Sequence, residues 1–141
     1  MAIYIRPFQK SDLKAFKPIE PFTVDELDTS EMAQAIEDSH LAVTGVKNGK
    51  IVGCGGVHPI NAEQGELWLR LSKDCRTFPV ETILWLRSGL KIIEETFPFR
   101  QLNAAVLKHY TRGRKLIEYF GFQSVSIIDD KVIMYAKLVR D

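Results

Sequence analysis

The chain is short of every feature that would name a function by composition alone. It has two cysteines, Cys54 and Cys75, in no C-x-x-C or Cys/His arrangement. A domain of this size needs no disulfide to hold its core, so a reducing cytosol is the expected setting. Its three histidines, His40, His58 and His109, share no ligand spacing, which argues against a metal site. Neither sign of charge dominates, with 19 Lys and Arg against 18 Asp and Glu and a net charge of +1. Such a balance generates no field that would select nucleic acid, a membrane surface or an acidic partner, so any binding of that kind has to be local. Long apolar runs are missing as well. Met1 to Arg6 holds no signal-peptide core, and no stretch approaches the roughly 20 apolar residues of a membrane span. The expectation is a soluble, unexported, cytoplasmic protein. Repeats and low-complexity linkers are also absent, and residues 1–141 read as one domain.

What is present is a dense succession of short elements. Hydrophobic residues make up 45% and charged residues 26% of the chain, enough for one sizeable core. Residues 2 to 6 alternate as a strand. Ser11-Asp12-Leu13 offers a cap for a helical segment ending near Pro18, and Ile19 to Asp28 reads as loop. Thr29-Ser30-Glu31-Met32 starts a second helix over residues 30 to 38, with Met32, Ala35 and Ile36 at helical spacing. Leu41 to Lys47 and Lys50 to His58 flank Asn48-Gly49, the dipeptide suited to a two-residue hairpin with positive φ. After a polar break, Glu66 to Ser72 forms a strand with Leu67, Leu69 and Leu71 on one face and Glu66, Trp68 and Arg70 on the other.

Val80, Ile83, Leu84, Leu90, Ile93 and Phe97 trace a buried stripe along a long helix between Pro79 and Phe97. Trp85 and Ile92 fall off that stripe, marking either an interface or a wide buried face. Gln101 to Leu107 returns as a strand, residues 109 to 120 form the last helix, and Val125 to Ile128 with Val132 to Leu138 close a hairpin around Asp129-Asp130. Gly53, Gly55 and Gly56 suit either a bulge with close backbone approach or a tightly packed strand. This order implies an α/β (α+β) domain, a central mixed, mostly antiparallel sheet of about seven strands with helices on both faces.

The last helix closes in Leu116-Ile117-Glu118-Tyr119-Phe120-Gly121-Phe122. Gly121 stands where the chain turns left-handed, and Phe122 folds back on Ile117. This ending, the element order and the long helix directly after the Glu66 to Ser72 strand together resemble the GNAT N-acetyltransferase superfamily over nearly the whole chain. The resemblance implies acetyl-CoA as acyl donor and a primary amine, on a small molecule or a protein, as acceptor. It also implies that Leu69 and Leu71 on the fourth strand pair with the pantetheine arm, and that the pyrophosphate sits at the start of the next helix.

Several reactive parts of that family pattern are replaced here. The family joins the fourth strand to the long helix through Arg/Gln-x-x-Gly-x-Gly/Ala, whereas this chain reads Ser72-Lys73-Asp74-Cys75-Arg76-Thr77-Phe78-Pro79, without glycine. Lys73, Arg76 and the Thr77 hydroxyl remain as phosphate ligands, or as solvated loop groups. Many members place a Tyr four residues before the glycine of the last helix to protonate the departing thiolate. Ile117 stands there instead, and Tyr110 and Tyr119 point in other helical directions, so no general acid is assigned. Glu66 is the candidate base for deprotonating the amine, sharing a face with Trp68, whose desolvating ring would raise its pKa, and His58 is the runner-up. Lys108, Arg112, Arg114 and Lys115 crowd the start of the last helix, where each opposes the dipole by a few tenths of a kcal/mol. Such crowding is either a solvated basic edge or an anion site, with Arg112 and Arg114 on a coenzyme phosphate, a nucleic-acid phosphate or an acidic surface.

Two classes of function follow. One is an acetyl-CoA-dependent N-acetyltransferase. The other is a catalytically inactive GNAT-like binding protein with a protein partner, since the short chain, Ile117 and the glycine-free link are similar to GNAT-like proteins of tailed bacteriophages, acting in the virion or on a host protein. A cleft between Trp68 and Ala105 favours the first and a side-chain plug the second. Monomer and homodimer both stay open.

Overall fold

The computed structural model describes residues 3–16, 19, 30–39 and 41–140. Strand β1 (Tyr4–Pro7) is followed by a short 3-10 helix (Lys10–Lys14), helix α1 (Ser30–Ser39), strands β2 (Ala42–Lys47), β3 (Lys50–Pro59) and β4 (Gln64–Leu71), and a second 3-10 helix (Lys73–Thr77). Helix α2 (Pro79–Thr96), strand β5 (Gln101–Leu107), helix α3 (Thr111–Tyr119) and strands β6 (Gln123–Ile128) and β7 (Val132–Leu138) complete it. The seven strands form one sheet in the order β1-β2-β3-β4-β5-β7-β6. Every neighbouring pair is antiparallel except β4 with β5. Parallel neighbours need a crossover, and α2 supplies it.

Both hairpins form as the residues at their tips dictate. Asn48 and Gly49 take φ of 52° and 79°, and Asp129 and Asp130 take 52° and 55°. These are the left-handed values of a two-residue turn, which Asn, Asp and Gly tolerate. Gly121, at φ 93°, ends α3 while the Phe122 amide reaches back to the Ile117 carbonyl at 3.3 Å and the Phe122 ring is buried. Strand β4 alternates as expected, with Leu67, Leu69 and Leu71 in the clusters under α2 and α3 and Trp68 in the cluster with Phe8 and Ile36 of the α1 side.

Three expectations are corrected. The segment after β1 is a five-residue 3-10 turn whose N-cap is Gln9, not a helix capped at Ser11; its predicted end at Pro18, the loop over residues 20–28 and the Thr29 cap lie outside the described residues. On α2, Val80 and Leu84 are 69% and 51% exposed while Trp85 is 6% exposed. The indole turns inward because the sheet beneath it has no side chains: a Cβ on Gly45 would lie 2.6 Å from the Trp85 ring, and one on Gly53 2.8 Å from the Arg70 carbonyl and 2.9 Å from the indole. A periodicity count over apolar residues cannot see a floor made of glycines on other strands. Helix α3 starts at Thr111, two residues later than expected.

The first turn is tied to the sheet through Asp12, 2% exposed. Its carboxylate accepts from both Arg6 guanidinium nitrogens at 2.7 and 3.0 Å, from the Gln9 amide at 2.9 Å and from the Thr44 hydroxyl at 2.6 Å. Burial pushes the carboxyl upward, but the Arg6 and Thr44 bonds outweigh it and hold Asp12 below the usual carboxylate range. Burial likewise pushes the neighbouring Cys54 thiol up to about 12 and leaves it inert.

Because the folded-state pKa of Asp12 is depressed, its contribution to stability is present above its unfolded value of about 3.9 and is lost as pH falls through the lower folded value. Urea titrations of wild type and Asp12→Asn across this range should show the variant about 1.5–3 kcal/mol less stable at pH 7, with the difference shrinking below pH ~4. Equal stability at pH 7 would show that the pair carries nothing.

Candidate functional site

The β4–β5 seam is short. Pairing runs from Gln64 with Gln101 to Leu67 with Ala104 and stops, although β4 continues to Leu71 and β5 to Leu107. Beyond that point β4 stays paired with β3 as far as Leu71, and β5 with β7 as far as Leu107. The two strands therefore part between Trp68 and Ala105. The Ser72 amide donates to the Val52 carbonyl at 2.8 Å, which makes that pair hydrogen-bonded. By the antiparallel alternation, the backbones of Leu69 and Leu71 face the opened side.

A cavity of about 310 Å³ occupies this opening and extends beneath α2. Leu67, Leu69, Ala104, Ala105 and Val106 line it at the strands, Leu86, Leu90 and Ile93 on α2, and Leu116, Ile117 and Phe120 on α3. Trp68 and Ala105 both line this cavity, and among the described residues no side chain plugs the gap between them. One contact crosses its edge: the Ile19 amide donates to the Leu71 carbonyl at 2.8 Å, with Ile19 only 7% exposed in the cluster of Leu71 and Trp85.

A sheet of this order, with one parallel seam that opens ahead of a crossover helix, has counterparts among solved structures. Ard1 from Thermoplasma volcanium matches at a TM-score of 0.77 and 13% identity over 100% of each chain. An acetyltransferase of the GNAT family from Streptococcus pneumoniae matches at 0.74 and 16% over 96% of this chain and 98% of that one. The GNAT superfamily phosphinothricin acetyltransferase of Sinorhizobium meliloti, in complex with acetyl-CoA, matches at 0.73 and 15% over 99% and 90%. This chain has the GNAT acetyltransferase fold. Neither a protein-family model nor a curated protein sequence matches it.

Within this GNAT fold, the residues singled out by sequence separate into groups. Glu66 sits one step below the point where β4 and β5 part, half-buried, on the face opposite the cavity. His58 is its cross-strand neighbour on β3 and is exposed, and Asn103 is its neighbour on β5. The acid–base candidates thus gather beside the opening. Leu69 and Leu71 border the opening itself.

The link after β4 is a 3-10 turn held by its own groups. Ser72 caps it, accepting from the Asp74 amide at 3.1 Å, and the Thr77 hydroxyl donates to the Asp74 carbonyl at 2.7 Å. Cys75 is buried there, its thiol donating to the Val52 carbonyl at 3.3 Å and pushed upward by burial. Lys73 and Arg76 project to solvent on either side. Pro79 opens α2 without a side-chain cap, which leaves the first-turn amides facing outward. Lys47, unremarked by sequence, also stands here, ion-paired with Glu81 of the first turn and 4.2 Å over the Phe78 ring. Its partner is 34 residues away, and no local signal joins them.

The basic start of α3 divides. Arg112 is exposed, whereas Arg114 turns inward, one guanidinium nitrogen donating to the Lys108 carbonyl at 3.2 Å, and the buried Tyr135 hydroxyl donates to Glu118 at 2.7 Å. Tyr119 is 60% exposed and accepts from Arg87. Ile117, in the position where many members carry the tyrosine acid, forms apolar cavity wall. His40 lies outside the described residues, and no metal-binding cluster occurs among the described ones. No helix of the described residues is long and apolar enough to cross a membrane.

This division has a direct check in melting temperature. Arg114→Ala should destabilise the domain by about 1 kcal/mol, the worth of a lost hydrogen-bonding anchor, while Arg112→Ala should stay within about 0.5 kcal/mol of wild type. Equal, small effects would show that Arg114 is a surface charge like its neighbours.

Proposed function

We propose that the protein is an N-acyltransferase of the GNAT type, taking an acyl group from acetyl-CoA or a related thioester and passing it to a primary amine of a small molecule or a protein. The opening of the β4–β5 seam after Leu67 and Ala104, with the cavity running along it, carries this reading. The pantetheine arm is an extended diamide, and the edge of β4 that opens at Leu69, next to the Leu71 carbonyl already held by Ile19, offers it strand-like pairing. Lys73, Arg76 and Arg112, with Lys47 nearby, supply positive charge for the phosphates, and the first-turn amides of α2 add a dipole of the right sign. In the absence of glycine, phosphate is held more by side chains than by a backbone cradle.

In the reaction the amine nitrogen attacks the thioester carbonyl, the new C–N bond forms, the C–S bond breaks and coenzyme A leaves as thiolate. Glu66 takes the amine proton, directly or through water, with His58 as the other acceptor in reach of the same opening. Backbone amides of the β4 edge stabilise the oxyanion. A thiol with a pKa near 8.5 is a tolerable leaving group without a dedicated acid, so Ile117 slows this step rather than forbidding it.

A second reading, a non-catalytic binding module, draws on one observation. The Leu71 carbonyl is already bonded to the Ile19 amide, and the Thr77 hydroxyl to Asp74, so two donor-site groups are occupied by the chain itself. Titration calorimetry with acetyl-CoA and free CoA separates the two readings. Micromolar binding, weakened several-fold by Lys73→Ala and Arg76→Ala, is the expected result, followed by loss of turnover in Glu66→Gln with binding retained. No heat at millimolar coenzyme would overturn the transferase reading in favour of the module.

A further inference from the structure

The cavity is largely apolar and takes in both the opening where the proposed pantetheine arm would lie and a stretch beyond it under α2. Its 310 Å³ is roughly ten times the share of liquid volume taken by one water molecule, a scale close to that of one methylene. It does not stop at the β4–β5 opening but continues under α2 toward Val43 on β2 and Gly55 on β3. Two strand spacings separate β4 from β2, about 10 Å. Among the described residues, Thr96 is the only lining side chain with a hydroxyl, amide or charged group. A pocket so poor in partners holds water weakly and hydrocarbon well.

Gly89 is an independent sign that this space is kept. It lies in the interior of the 18-residue α2, where glycine is less stable than alanine. It stands one turn after the buried Trp85, on the face toward the sheet, and lines the cavity. Packing explains other glycines: a Cβ at Gly45 or Gly65 would come within 2.6 Å of a neighbouring side chain. At Gly89 a Cβ would meet none of the described residues within 4 Å. Contacts with the described residues therefore do not demand its missing side chain, which leaves the cavity open along α2.

We infer that the cavity beneath α2 receives the hydrocarbon tail of the acyl donor, so that the chain prefers a medium-chain acyl-CoA, on the order of six to eight carbons, to acetyl-CoA. This rests on the proposed thioester site, because the cavity is continuous with the opened edge of β4 where the pantetheine arm would end. The bond changes are those given above, with a longer alkyl group on the same carbonyl. Ile117, in place of a polar residue, extends the apolar wall at the point where the tail enters.

The test is calorimetry with free CoA, acetyl-CoA, hexanoyl-CoA and octanoyl-CoA on wild type, Gly89→Leu and Gly89→Ala. Each methylene that leaves water should tighten binding by up to about fourfold, so hexanoyl-CoA should bind at least about tenfold tighter than acetyl-CoA. Gly89→Leu fills the cavity and should bring the hexanoyl-to-acetyl affinity ratio close to one. Gly89→Ala, which improves the helix, should melt higher than wild type and keep most of the preference, showing that the effect is one of volume. Equal affinity for all thioesters, or a preference that survives Gly89→Leu, would overturn the acyl-chain inference while leaving the thioester site intact. Failure of every coenzyme A compound to bind would overturn both.

Discussion

The structure depends on a seam that is paired for only four residue steps. Two antiparallel half-sheets, β1 to β4 and β5 to β7, meet where β4 and β5 run parallel, and they hold together only from Gln64 with Gln101 to Leu67 with Ala104. Each half is internally continuous past that point, so neither strand frays; they diverge as edges of two twisted sheets. Backbone groups exposed by that divergence would be costly under a helix unless something pairs with them. An extended polar ligand would do so, and in this chain Ile19 already satisfies one of them. The parallel seam also forces a crossover, which places the start of α2 beside the opening and its length across the sheet.

Side-chain size then decides what lies between α2 and the sheet. At the front of the helix Gly45 and Gly53 let the Trp85 indole lie flat on the strands and close the layer. One turn later Gly89 removes the corresponding side chain from the helix itself, and the layer opens. The same residue type thus does opposite things on the two sides of one interface. Close packing elsewhere in the core makes the open stretch the exception, since protein interiors leave few voids larger than a water molecule.

Much of this arrangement could be read from the chain, for identifiable reasons. Turns were the clearest, because Asn48-Gly49 and Gly121 need φ values that few other residues accept. Strand β4 announced its faces through strict alternation. Contacts between elements distant in sequence were hidden. Trp85 seemed to lie off the buried stripe because its floor is made of glycines on β2 and β3, and Val80 and Leu84 seemed buried only because they are apolar. Lys47 beside the start of α2, Arg140 donating to the Phe97 and Phe99 carbonyls after its end, and Ile19 on Leu71 are likewise long-range pairings with no local pattern. Strand register places Glu66, His58, Leu69 and Leu71 beside the opening, and that register follows from alternation the chain shows. Thr77 and Arg114 looked like free ligands, yet the Thr77 hydroxyl donates to the Asp74 carbonyl and one Arg114 guanidinium nitrogen to the Lys108 carbonyl.

The replaced residues form one pattern when set beside the cavity. A tyrosine at the position of Ile117 would bring a hydroxyl into the space, and glycines in the link would let the backbone wrap a pyrophosphate closely. On the proposed reading, both exchanges would shift recognition from the polar head of a thioester donor toward its hydrocarbon end. Binding energy lost at the phosphates is recoverable as apolar area, at about 25 cal/mol for each Å² removed from water. That energy is non-directional, whereas a backbone cradle fixes orientation, so the burden of aligning the thioester falls on the β4 edge. Strand pairing at Leu69 and Leu71 is the remaining rigid element, and its geometry is set by the same four-step seam that creates the opening.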